Sequence, residues 1–416
     1  MNTIMKHDRL AQDLMEQIEQ IEAVDCHEHL MPEAERTSQD VDVFTLFSHY
    51  TQGDLRAAGM NESACASLQD TRLPLDYRWA LFEPYWQHIR HTSYSRAALI
   101  ALQKFYGHED FTSENYQQIS AAIQKANVPG LYRRILKETC RLKTALLQVP
   151  FAEVDRAYFI PVVHYPFCAQ HDTWTSISHP EFMPDAAIRS IDDYLHAAWD
   201  CLVQAKNKGA VAVKMFVQPN APPERSAAIT IFRKLQDGEL AVLPLENALT
   251  DYLFDQMIAY AGKLDLVVAV HTGYWKDFRQ LSPLHMIPIL QRHPQTRFDI
   301  YHLGFPWGRE TLMLGKGFPN VWLNLCWTHI ISQRFTQQAM SEALDLVPVN
   351  KIFAFGGDYG KPVEKVFGHL TMARENLALV MADRVKSGQI SVSQAIRIAE
   401  MWLQGNPKDF YNLKFS

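Results

Sequence analysis

The sequence predicts an α/β protein, a (β/α)8 TIM-type barrel with a mostly helical insertion after its first strand. Three observations carry this. Eight short apolar runs alternate with polar or Gly/Pro turns and with segments of helical spacing. Their lack of polar alternation fits parallel strands buried on both faces. No G-x-G-x-x-G or G-x-x-x-x-G-K-[ST] motif supports the competing arrangement, two doubly wound sheets.

In chain order, Leu10, Leu14, Ile18 and Ile21 form one helical stripe. The first strand run is Val24 to Leu30. The others are Leu142 to Val149, Ala157 to Val163, Ala210 to Val217, Leu266 to His271, Phe298 to Leu303, Val321 to Trp327 and Ile352 to Phe355. Asp185 to Lys206, Asn247 to Lys263, Ser282 to His293 and Val363 to Lys386 are long enough for the crossover helices that parallel strands need. Residues 31–141 interrupt the alternation. They hold Tyr77, Trp79, Phe82, Tyr85, Trp86 and Tyr94, and have helical spacing at Ser95 to Tyr106 and Asn115 to Lys125. A structureless loop of that length would be anomalous in a compact domain. The expectation is therefore a barrel of residues 1–30 and 142–416, and a helical insertion, 31–141, over its C-terminal face. Ser391 to Gln404 reads as a last helix, with Ser391 as N-cap and Gly405 as stop.

Composition narrows the function classes. Hydrophobic residues are 47% and charged residues 21%, a globular balance that excludes a disordered or fibrous chain. With 40 basic and 46 acidic residues the net charge is −6, which argues against nucleic-acid or anionic-membrane partners. No apolar run approaches a membrane span, and the N-terminus is too polar for a signal peptide. The six cysteines, Cys26, Cys65, Cys140, Cys168, Cys201 and Cys326, form no C-x-x-C pair and fit a reducing compartment. A cytoplasmic protein with a small-molecule substrate is expected. The aromatic insertion suggests a homo-oligomer.

The 17 histidines direct attention to the strand ends, where catalytic groups of such barrels stand. There lie His27-x-His29, His164, Lys214, His271, His302 and Asp358 in Phe355-Gly356-Gly357-Asp358. Alternate residues of a strand share a face, so His27 and His29 are expected to look into the barrel mouth together. His271 would add a third nitrogen and Asp358 a hard oxygen. Such a set suits Zn²⁺, or Mn²⁺ or Fe²⁺, with one open position for water. Water beside such an ion has a pKa near 7, and Asp358 could relay its proton to a leaving group.

Each residue alone has a plainer reading. Histidines at a strand end are often merely hydrogen-bonded, Asp358 could cap a helix starting near Pro362, and Lys214 could pair with a carboxylate. The ordered set across strands one, four, five, six and eight favours a site. Pocket candidates are Gln148, His164, Tyr274, Trp275, Trp307, Arg309, Trp327 and His329, with Arg90 and His91 from the insertion. Arg90 or Arg309 could grip a substrate carboxylate bidentately.

The order H-x-H, Lys, His, His, Asp resembles the amidohydrolase superfamily of metal-dependent barrels. Local sequences resemble its amidohydrolase-related (type 2) branch: Val24-Asp25-Cys26-His27-Glu28-His29-Leu30, Val270-His271-Thr272-Gly273, Tyr301-His302-Leu303-Gly304, Phe355-Gly356-Gly357-Asp358-Tyr359 and Gly405-Asn406-Pro407-Lys408-Asp409-Phe410-Tyr411. The resemblance covers the end of strand one and residues 142–411. It implies a metal-dependent hydrolase of small polar substrates with an amide, lactone or C–N bond. His27, His29, His271 and Asp358 would hold the metal, and Asp358 would also move the proton. His302 would bind a second ion or polarise a carbonyl. Lys214 would be carboxylated between two ions or would orient the substrate. One ion, Zn²⁺ before Mn²⁺ or Fe²⁺, is the expectation. Uronate isomerases also carry a large helical insertion after strand one, and nonoxidative decarboxylases share the type 2 motifs. An isomerase or lyase on the same site is therefore the alternative, and a non-catalytic binding protein a third.

Overall fold

A computed structural model describes residues 8–164, 172–180, 186–275 and 277–415, with the side chain of His164 outside the described set. Eight parallel strands stand in sequential order, making a nearly closed barrel. They are β1 (Ala23–Glu28), β2 (Leu142–Val149), β3 (Phe159–His164), β4 (Ala212–Phe216), β5 (Val267–His271), β6 (Phe298–Tyr301), β7 (Val321–Asn324) and β8 (Ile352–Phe353). Four backbone bonds join the β1 segment to the segment after β8, among them His29 N to Tyr359 O at 3.2 Å and Met31 N to Gly360 O at 3.0 Å. Cys26 N donates to Phe355 O at 3.0 Å, and Asp358 N to His27 O at 2.8 Å.

All eight apolar runs overlap a strand, and the last three run on past the strand's C-terminal end. β6 stops at Tyr301 because His302 and Leu303 take φ of 63° and 45°, which no strand tolerates. β7 stops at Asn324, ahead of Trp327 at φ 66°. β8 ends well before Asp358, which stands in a loop at φ 61° rather than on a strand.

The barrel interior is filled by Val24, Cys26, Leu146, Val162, Ala212, Val267, Ala269, Tyr301, Cys326 and Phe353. Phe410, Tyr411 and Leu413 pack into the same cluster from the strand-start side. Phe410 lies 4.5 Å from Trp322 and 5.2 Å from Phe353. The final helix starts as expected, with a Ser391–Gln394 capping box, but does not stop at Gly405. Gly405 has φ −63°, and the chain continues helically to Phe410. Anchoring by neighbouring side chains overrides the glycine. Trp402 Nε1 donates to Val349 O, and Asn406 Nδ2 to Val349 O and Ile352 O.

Between β1 and β2 the chain is mostly helical, including Leu75–Ile89, Ser93–Tyr106 and Tyr116–Ala126. Its aromatics make a core of their own, with Phe44, Phe47, Trp79, Phe82, Trp86 and Phe111 ring against ring. The Ser93–Tyr106 helix meets the long Glu364–Lys386 helix closely: a Cβ on Gly368 would come within 2.0 Å of Ala97 O. A buried ion pair reinforces the junction. Arg36 Nη2 lies 3.1 Å from Glu364 Oε1, Arg36 Nη1 donates to Asn127 Oδ1, and Tyr106 OH donates to Glu364 Oε1. Among the described residues no helix is long and apolar enough to cross a membrane.

Removing one partner of a buried pair leaves the other charge without compensation. Arg36→Met is therefore expected to lose about 3–5 kcal/mol in urea unfolding, and Arg36→Met with Glu364→Gln to recover much of it. Equal stability of the single and double variants would show that Glu364 does not depend on Arg36.

Candidate active site

The site begins where β1 frays. β1 and β2 lose register between Asp25 and Glu28, so three steps of β1 oppose two of β2. This bulge lets Cys26 belong to the barrel interior while His27, the next residue, also turns inward, its ring 4.4 Å from that of Tyr301. His27 Nε2 and His29 Nε2 both approach Asp358 Oδ1, at 3.2 and 3.3 Å. His302 Nε2 lies 3.0 Å from His271 Nδ1. Donor atoms of His27, His302 and Asp358 fall within 4.8 Å of one another, and all three residues are buried.

Hydrogen bonding fixes which nitrogens hold lone pairs. His302 Nδ1 faces Cys326 O at 3.1 Å. A carbonyl only accepts, so Nδ1 carries the proton and Nε2 keeps its lone pair. That lone pair accepts from His271 Nδ1, which leaves His271 Nε2 bare, and it is a buried atom without a partner. Burial pushes His27 and His271 well below the usual imidazole range and His302 down to about 4, so all three are neutral. Burial also works against the charge on Asp358. The imidazoles of His27 and His29 outweigh it and hold that carboxyl well below its usual range. Neutral imidazoles, one with an orphaned nitrogen, around an ionised carboxylate are the donor set a divalent cation requires. The residues fit a metal.

Gln148 and Lys214 support this set from β2 and β4. The Gln148 side-chain amide meets His27 Nδ1 at 2.8 Å, and Lys214 Nζ donates to Gln148 Oε1 at 3.3 Å. The Lys214 ammonium lies 4.6 Å from the Tyr301 ring centroid, and burial lowers its pKa to about 8. Trp327 stands 5.1 Å from His302. Tyr274 and Trp275, both partly exposed, come within 6.0 and 6.4 Å of Trp327. Trp307 lies further out, half-buried beside Phe278. His164 ends β3, but its side chain lies outside the described residues.

Other candidates are not brought to the cluster. Arg90 is engaged with Asp110, and Arg309 with Glu342 at 2.9 and 2.8 Å, both guanidiniums largely in solvent. Neither is free to grip a substrate carboxylate. His91 is exposed. His329 is a structural residue: Nε2 donates to Ala354 O, and Asn376 Nδ2 donates to Nδ1. Asp358 caps no helix, since the next begins at Glu364 without a side-chain cap.

The sequence reading missed three residues from the stretch between β1 and β2. Tyr50 stacks on Trp327 at 4.5 Å, and Tyr94 stacks on Tyr50 at 5.7 Å. Burial and then the Asp358 charge push the Tyr50 hydroxyl well up. His49, at φ 65°, is pushed down to about 4 by burial, with Asp358 opposing. The positive φ of His49, His302, Trp327 and Asp358 concentrates backbone strain here, at about 1–3 kcal/mol each.

The amidohydrolase family model (Amidohydro_2) matches residues 183–413, more than half of the chain. The chain belongs to this amidohydrolase family. The match spans Lys214, His271, His302 and Asp358 but starts after His27 and His29. Protein fluG of Emericella nidulans is 26% identical over 208 residues, 47% of this chain and 24% of that protein, so the chain spans about a quarter of that relative's length. A uronate isomerase of Thermotoga maritima superposes with a TM-score of 0.80 at 14% identity, over 97% of both chains. A glucuronate isomerase of Caulobacter crescentus gives 0.81 at 15% identity, over 99% of this chain and 97% of that one. A Lactobacillus casei protein provisionally assigned as a metal-dependent hydrolase gives 0.67 at 16% identity, over 96% and 97%. At these identities the likeness is one of fold.

Two outcomes check this amidohydrolase centre. Saturating Zn²⁺ is expected to raise the melting temperature of metal-stripped protein, a gain of about 2.7 kcal/mol at a hundredfold excess over Kd. His27→Ala is expected to abolish most of that gain. Separately, His329 is held neutral with its pKa lowered to about 4 by burial. From about pH 6.5 down to about 4 the unfolded chain binds the proton that folded His329 refuses, so stability falls by up to about 1.4 kcal/mol per pH unit. Unfolding curves of wild type and His329→Asn across that window measure the difference in slope.

Proposed function

We propose that this amidohydrolase is a hydrolase of a small polar substrate with an amide, lactone or C–N bond, working with one divalent ion, Zn²⁺ first. The observation that carries this reading is the buried, ionised Asp358 set among neutral imidazoles. His27, His29, His271 and Asp358 would hold the ion. His302 joins them in this reading, because its unprotonated Nε2, which here accepts from His271 Nδ1, has a lone pair for a cation and no proton to donate to a carbonyl. When bound, the ion supplies Lewis acidity, which polarises a carbonyl and makes water acidic near neutral pH.

The side chains do the rest. Asp358 takes the proton of the attacking water and hands it to the leaving group, a task for a carboxylate that is ionised at rest and 2% exposed. Gln148 holds the His27 ring in place, and Lys214 holds Gln148. That chain of contacts gives Lys214 an orienting role and favours one ion over two. Tyr50, Tyr94 and Trp327 wall the site and exclude bulk water. Asp358→Asn is expected to cut turnover by orders of magnitude while zinc content stays near that of wild type. Undiminished turnover would remove Asp358 from the chemistry.

A uronate-type isomerase is the second reading. It is favoured by likeness to the two isomerases over nearly the whole chain, the helices between β1 and β2 included. Reaction in oxygen-18 water divides the two. A hydrolase places one label in the product acid, and an aldose–ketose isomerisation needs no water oxygen in the new product.

A further inference from the structure

Three ligand candidates come from two chain segments, the end of β1 and the loop after β8, and two buried carboxyls lie between these segments. Asp25 Oδ1 accepts from His27 N at 3.1 Å and from Gly357 N at 3.0 Å. Glu28 Oε2 accepts from His29 N at 3.3 Å and from Tyr359 N at 2.8 Å. Each carboxyl thus ties one backbone N–H of the H-x-H segment to one flanking Asp358. Both residues are fully buried. Their other oxygens, Asp25 Oδ2 and Glu28 Oε1, lie against Gly357, where an added Cβ would stand 3.1 and 1.8 Å away. Only glycine leaves room for the pair.

Neither residue is among the ligand candidates, and a fold held by apolar packing has no need of two carboxyls here. Burying them carries a large desolvation cost. We propose that Asp25 and Glu28 are positioning residues, a paired clip that sets the separation of His27 and His29 from Asp358 and so tunes the affinity of the centre for its metal. The clip acts on the backbone, whereas Gln148 acts on a ligand ring. It fixes where the ligands start, and rests on the metal-centre reading above.

The test titrates Zn²⁺ alone into metal-stripped full-length protein against a chromogenic chelator, well below the unfolding temperature. Glu28→Met loses both accepted bonds and is expected to weaken zinc binding about 10- to 100-fold, whereas Glu28→Gln, which keeps an acceptor oxygen and offers an N–H toward Asp25, stays within about threefold of wild type. Should Glu28→Met not fold, Gly357→Ala replaces it, because the new methyl must push the Glu28 carboxyl aside; the same loss is expected. Wild-type affinity in Glu28→Met or Gly357→Ala overturns the clip, as does Glu28→Gln binding as weakly as Glu28→Met. Wild-type protein that takes up no Zn²⁺ overturns the metal reading itself, a separate result from tight binding that the variants leave unchanged.

Discussion

The seam between β8 and β1 is the constraint on which the site depends. Residues near the two ends of the chain meet there through Cys26 N to Phe355 O and Asp358 N to His27 O. Those two bonds place the Asp358 carboxylate against His27 and His29. The ionised state of Asp358 and the close packing that requires Gly356 and Gly357 follow from that approach, while burial keeps His27, His271 and His302 neutral against the pull of that charge. A Cβ on Gly356 would come within 2.4 Å of Cys326 Cβ and 3.1 Å of His27 Cβ. The glycines ahead of Asp358 therefore serve the seam. They let a loop lie flat against a strand end, and the aspartate then enters the site from a left-handed backbone conformation.

Satisfaction of polar atoms separates His271 from His329. His329 and His271 are both buried. His329 has a partner on each nitrogen, a carbonyl and an amide, and is complete as it stands. His271 is bonded only through Nδ1, and its Nε2 is an orphan. A buried nitrogen without a partner is costly unless something else is meant to occupy it. The carboxylates differ instead in who holds them. Asp299, inside the barrel, is held through Oδ2 by Asn324 and Tyr411, while Asp358 is held by groups that are themselves ligand candidates.

Much of this was legible in the sequence. The eight runs, the H-x-H pair and the order of Lys214, His271, His302 and Asp358 need only strand periodicity and the rule that barrel sites stand at strand ends. What escaped was set by tertiary contact. The bulge in β1 has no local marker, because Asp25-Cys26-His27-Glu28 reads equally well as an unbroken strand. Tyr50 and Tyr94 could not be told from Phe44, Trp79 or Phe82: all are aromatic residues of the same helical stretch, and only the fold shows which face the barrel and which face one another. Arg90 and Arg309 looked available because their partners, Asp110 and Glu342, are distant in sequence. Gly405 looked like a stop because the bonds of Trp402 and Asn406 to β8 and the turn before it cannot be read from spacing.

The seam also determines what a metal would add to stability. A cation held between His27 and Asp358 closes a loop of roughly 330 residues, yet loop entropy rises only about 0.6 kcal/mol for each doubling of length. Closing so long a loop therefore adds little beyond closing one of half the length, and the folded barrel has already brought the ends together. The larger effect is electrostatic. Asp358 is a buried charge whose present partners are imidazole rings, and an ion beside it removes a desolvation cost of several kcal/mol. Metal binding should thus act chiefly on the centre and its immediate loops, with the barrel walls folded alike in either state. Strain at His302 and Asp358 is then tolerated because the packed walls on both sides of the seam already hold those residues in place.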